Sequence, residues 1–174
     1  MNALHTGLTC HGEPASADEI ATVVFRRAGA DLALHVDAPF HGDSPPPGAP
    51  GALDGLWNHE VVEVFLAAPD TDDYLEVELG PHGHHLVLRL SGVRRAFARC
   101  LPLTLQVQRH DTRWCATAVV PAAWLPPGPP EAWRVNVCAI HGAGPDRRYL
   151  TAARLGGVQP DFHRPTDFLT GLQF

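Results

Sequence analysis

Lysine is absent from the 174 residues, and all 13 basic side chains are arginine. That absence excludes Schiff-base lysine chemistry and the lysine of phosphate-binding loops. Methionine occurs once, as Met1, and charged residues make up only 18% of the chain. A formal charge of -6 leaves no basic stripe to neutralise phosphates, so no nucleic-acid partner is expected. Long apolar runs are missing as well. The stretch at 61–66 is broken by Glu63, and a bilayer needs roughly 20 apolar residues in a row, so no membrane partner is expected. Cys10, Cys100, Cys115 and Cys138 show no CxxC or other metal-ligand spacing. Cys115 and Cys138 sit in apolar runs and read as small buried hydrophobes. Residues 1–16 carry neither a basic start nor an apolar segment, so no secretion signal is read and a reducing cytoplasm is expected.

What is present is a core-forming chain. Hydrophobic residues reach 45%, which excludes a disordered or fibrous polypeptide, and the length suits one domain over 1–174. Seventeen prolines and 16 glycines are spread between short apolar runs, leaving no room for long helices. The runs at 22–27, 31–38, 61–66, 74–79, 84–90, 103–109, 113–120, 134–140 and 149–152 read as strands, with 168–174 closing the chain. Residues 29–30 and 110–112 have hairpin-turn composition. At most one short helix fits, at 121–125, because prolines end it at once. Pro45, Pro46, Pro47 and Pro50 make 42–51 a semi-rigid surface loop. The expected fold is all-β, an antiparallel, jelly-roll-like β-sandwich.

The centre of the chain carries the polar chemistry. Residues 74–79 alternate strictly, 80–83 read as a four-residue turn, and 84–89 return. If Leu79 faces His84, Glu78 pairs with His85, Glu76 with Val87 and Tyr74 with Arg89. Tyr74, Glu76, Glu78, His85 and Arg89 then share one face, which the preceding strand extends with Glu63 and Phe65. Such a face can be an ordinary solvated surface with cross-strand charge pairs. It can equally be a concave polar floor of the kind that binds sugars, where carboxylates and guanidinium groups hold hydroxyls and an aromatic ring stacks on the sugar. Trp57, just before the strand, suits either a stacking platform or a lid on the core.

The segments LWNHEVVEVF (56–65) and YLEVELGPHG (74–83), then WRVNVCAI (133–140) with His141 and Gly142, Tyr149, PDFHR (160–164) and Phe168 recur as ordered blocks. Over about 30–174 this pattern resembles an uncharacterised protein family shared by bacteria and animals. That family is similar to the DOMON-like and family-9 carbohydrate-binding-module β-sandwiches. The resemblance implies sugar recognition: Trp57 matches the first stacking aromatic and Glu63 a sugar-contacting carboxylate. Arg89 and Asn136 fall where polar contacts are expected, and Tyr149 or His141 stands in for the second aromatic. Haem-binding DOMON domains use Met and His ligands, which a chain with Met1 alone does not supply.

Other constellations are weaker. His82, His84 and His85 crowd one turn, but His84 and His85 point to opposite faces. Asp70, Asp72 and Asp73 form an acidic loop that could hold a structural calcium ion. Asp161 could orient His163 as in a catalytic dyad, or both could form a polar corner. Glu63 and Glu76 on neighbouring strands would lie about 5 Å apart, near the separation in retaining glycosidases. The expected function is non-catalytic binding of a carbohydrate or sugar-containing metabolite through Trp57, Glu63, Tyr74, Glu76, Arg89, Asn136, Tyr149 and His163, with no cofactor or catalytic residue. The alternatives are a small hydrolase or isomerase using the paired carboxylates or Asp161 and His163, and a protein-interaction module with exposed aromatics.

Overall fold

The structure is a computed structural model that describes residues 2–157 and 159–171. Two antiparallel sheets stack face to face. The first has five strands in the order β1 (Asn2–His5), β3 (Thr22–Ala28), β4 (Asp31–Pro39), β10 (Arg113–Val120) and β9 (Leu105–His110). The second has seven, in the order β2 (Leu8–Thr9), β12 (Arg148–Thr151), β11 (Arg134–His141), β5 (Val61–Ala67), β6 (Asp73–Leu79), β7 (His85–Ser91) and β8 (Ala96–Ala98). The expected β-sandwich is therefore the observed fold. No α-helix occurs among the described residues; the expected helix near 121–125 is a single 3-10 turn, Ala122–Trp124. Of the closing run 168–174, Leu169 forms a bridge with Val135, and residues 172–174 lie outside the described part.

Period-two patterning explains the two layers. Strands β4 and β10 alternate buried and accessible positions, so the five-stranded sheet turns one face to solvent. Its inner residues, including Phe25, Leu34, Val36 and Trp114, meet Val62, Val64, Leu75, Val77, Val135 and Val137 of the other sheet. That interface is the main core. Strand β5 is different: all seven of its residues are buried. A strand buried on both sides needs a second cover. The outer face of the seven-stranded sheet carries another apolar cluster, in which Phe65, Tyr74, Leu86, Leu88 and Leu90 meet Leu56, Phe162 and Phe168. Residues 153–157 and 159–168, with the turn Leu56–Asn58, thus form a partial third layer, and the candidate site lies between that layer and the sheet.

One register differs from the sequence reading. Leu79 is opposite His85, not His84, and the Gly80 amide donates to the His84 carbonyl at 2.9 Å, so the connection is one residue longer. A one-residue slip inverts a strand. Tyr74, Glu76 and Glu78 therefore pair with Leu90, Leu88 and Leu86, while His85 and Arg89 turn to the opposite face with Leu75 and Leu79. The reason is apolar: this register buries Leu86, Leu88 and Leu90 under the third layer and Val87 in the main core.

Candidate functional site

Strands β5 and β6 set the floor. Glu63 lies directly opposite Glu78, and Glu76, two positions along from Glu78, projects from the same face. Carboxylate oxygens of the three lie within 4.8 Å of one another, and all three residues are buried. Burial pushes all three carboxyls up: Glu63 and Glu78 rise well above the usual range, each raised further by a neighbouring carboxylate, and Glu76 rises to about 7. Above Glu63 and Glu76 opens a cleft of about 340 Å³.

Tyr74 and His163 build the wall. The Arg94 backbone N–H donates to the Tyr74 hydroxyl at 2.9 Å, and that hydroxyl lies 2.8 Å from His163 Nδ1. When the Tyr74 hydroxyl gives its proton to Nδ1, the imidazole proton is carried by Nε2. Nε2 lies 3.8 Å from Glu76 Oε2. Burial lowers His163 to about 4 and raises Tyr74 to about 12, so both are neutral at ordinary pH. The cleft thus presents the edge of the His163 imidazole beside the carboxyl groups of its floor.

Aromatic and cationic groups form the mouth. Trp57 follows the fully buried Leu56 in a 3-10 turn and is 38% exposed, so it stands in the cleft instead of capping the core. Tyr149 of β12 faces in, with the Arg147 guanidinium 5.5 Å from its ring centroid. Arg147 donates to the carbonyls of Trp57, Asn58 and Gly142, tying that turn to the end of β11. Arg94 pairs with Asp161 at 2.9 Å, and Arg99 with Asp54 at 2.6 Å.

The structure therefore gathers Trp57, Glu63, Tyr74, Glu76, Tyr149 and His163 around one cleft, and leaves out two expected members. Arg89 lies on the other face of β7, its guanidinium 5.0 Å from the Phe97 ring centroid, because of the register slip. Asn136 is on the right face but wholly buried. Its side-chain oxygen accepts from the Ala153 amide at 2.8 Å, and its amide nitrogen donates to the Thr151 hydroxyl at 3.0 Å. The Asp161–His163 dyad is not formed either: Asp161 accepts the backbone N–H of His163 at 3.0 Å, while the ring is held by Tyr74. His141 stacks on His41 with ring centroids 3.5 Å apart, away from the cleft lining. Asp70 and Asp72 stand exposed on the turn after β5. Arg94, Arg99 and Arg147 were not anticipated; all three come from connections between strands, where alternation carries no signal.

No family model matches the sequence. Proteins of known sequence do. The chain is 40% identical over 141 residues to the UPF0462 protein C4orf33 homolog of Danio rerio, covering 76% of this chain and 70% of that protein. It is 41% identical over 138 residues to the UPF0462 protein C4orf33 of Homo sapiens, covering 75% and 68%. The chain belongs to the UPF0462 family. Relatives in animals are thus established for this UPF0462 protein. Among solved structures, the fold is similar to one from Bacteroides uniformis ATCC 8492 named a "putative carbohydrate-binding protein", with a TM-score of 0.71 and 14% identity over 97% of this chain and 84% of that one. At that identity the likeness is one of fold alone. Among the described residues, no helix is long and apolar enough to cross a membrane.

Proposed function

We propose that this UPF0462 protein binds a saccharide or sugar-containing metabolite in the cleft, without transforming it. The observation that carries this reading is the pairing of polar groups inside the cleft, Glu63, Glu76 and the His163 imidazole, with Trp57 standing half in solvent at the mouth. A sugar ring has hydroxyls on its rim and C–H groups on its faces, so it needs donors and acceptors below and an aromatic plane beside. The cleft volume of about 340 Å³ matches a small ligand of one or two rings. The solved relative of similar fold is named for carbohydrate binding, which favours the same class here.

Titration calorimetry against a panel of mono- and disaccharides tests the proposal. Wild type should bind at least one member, and Trp57→Ala should weaken that binding by about ten-fold or more, as loss of one stacking contact predicts. Absence of heat for every sugar at millimolar concentration refutes it. A second reading rests on Glu63 and Glu76, whose close, buried carboxyls, both pushed up by burial, resemble the acid and nucleophile of a retaining glycosidase. Release of nitrophenol from aryl glycosides by wild type, lost in Glu76→Gln, would favour that reading over simple binding.

A further inference from the structure

We propose that Glu63, Glu76 and Glu78 form the protein half of a binding site for a hard divalent cation, calcium or manganese, at the floor of the cleft. The geometry comes first. Oxygens of the three carboxylates lie within 4.8 Å of one another. Oxygen ligands on opposite sides of a calcium ion stand about 4.8 Å apart, twice a metal–oxygen distance near 2.4 Å. The trio therefore fits within one coordination sphere with little movement. Carboxylates are the donors a hard cation selects, and no cysteine or histidine joins them in the group.

A separate observation is the state of Glu78. It is wholly buried, and no donor group of the chain reaches either of its side-chain oxygens, whose close polar neighbour is the Glu76 carboxyl; Glu76 Oε2 is likewise without a donor. A buried carboxyl that no donor reaches is held either protonated or against a cation, because an isolated charge out of water is costly. Among the described residues, the only basic nitrogen within 4 Å of any of these carboxylates is His163 Nε2, 3.8 Å from Glu76 Oε2. Arg94, Arg99 and Arg147 form their close bonds elsewhere, with Asp161, Asp54 and backbone carbonyls. Glu78 is buried behind the cleft lining, with a carboxyl oxygen turned toward those of Glu63 and Glu76.

Access is available. Glu63 and Glu76 line the open cleft, and an oxygen of Glu78 lies within 4.8 Å of theirs, so an ion held by the first two is within reach of the third. Three carboxylates leave coordination positions open on the cleft side. Water, or the vicinal hydroxyls of a bound ligand, can take those positions. The cation site does not depend on such a ligand and is testable alone.

Full-length protein stripped with chelator and dialysed is titrated with calcium, manganese or magnesium chloride. The melting temperature is followed, and bound metal is counted after desalting. Calcium or manganese should be retained near one equivalent and, at a hundredfold excess over Kd, raise the melting temperature by roughly 5–10 °C. Glu78→Gln and, separately, Glu63→Gln should weaken the metal by about ten-fold or more. Either variant suffices if the other misfolds. No retained metal and no shift at 10-fold molar excess and above, up to about 10 mM, overturns the proposal and assigns the trio to protons alone. A shift that persists undiminished in both variants also overturns it, because the ion then sits elsewhere.

Discussion

Replacing Asn136 with alanine is the sharpest test of how the outer face is held. Asn136 Oδ1 accepts the Ala153 N–H at 2.8 Å, and Nδ2 donates to Thr151 Oγ1 at 3.0 Å. Thr151 in turn donates to the Ala153 carbonyl at 3.0 Å. All three residues are wholly buried, so water cannot take over when the amide is removed. Orphaning the Ala153 N–H costs about 1–3 kcal/mol, and halving the partners of the Thr151 hydroxyl about another 1 kcal/mol. The sum is about 2–4 kcal/mol, which for a chain of this size lowers Tm by roughly 4–16 °C. Urea unfolding followed by tryptophan fluorescence measures it directly, and the folded protein should keep its ligand affinity, since Asn136 does not line the cleft. A stability loss under about 0.5 kcal/mol, or a variant of full stability with weakened binding, refutes the argument and returns Asn136 to the binding surface.

Two further outcomes follow from the rim. Burial and the stacked His41 ring lower His141 to about 4, against the opposing pull of Glu19 and Asp43 and with a small push from Arg148. The unfolded imidazole takes its proton near pH 6.5 and the folded one only near pH 4, so stability should fall as pH drops through that window. Between pH 7 and 5 the His141 share is about 2 kcal/mol; in urea titrations at the two pH values wild type should lose about that much more stability than His141→Gln, and equal losses would sink the assignment. Gly142 has φ +76, and a Cβ there would lie 2.6 Å from the Asp146 carbonyl oxygen. Gly142→Ala should therefore cost about 1–3 kcal/mol and displace Arg147, read as a drop in Tm; an unchanged Tm would contradict the packing described.

Alternation made the layers legible. The strict pattern of 74–79 and the position of Glu63 and Phe65 on the preceding strand placed Tyr74, Glu76 and Glu63 on one face, as found. Strand β7 failed on a single residue, because a Gly-Pro-His-Gly turn does not declare whether the next histidine belongs to it. Since the period is two, that ambiguity was enough to send Arg89 and His85 to the wrong side. Asn136 misled for another reason. A polar residue on the right face reads as a contact until Thr151 and Ala153, distant in sequence, are seen to consume its hydrogen bonds. The third layer and its arginines come from irregular connections whose paths no periodicity encodes.

The cleft has a floor and a ceiling made of different kinds of chain. Glu63, Glu76 and Glu78 belong to hydrogen-bonded ladders at the middle of a sheet, whereas Asp161, Phe162 and His163 arrive on a strap laid across it. Substitutions in the strap can reshape the ceiling while every rung of the ladder stays intact. Such a division lets the shape of the cleft change without renegotiating the scaffold, and it places that freedom in residues 159–168.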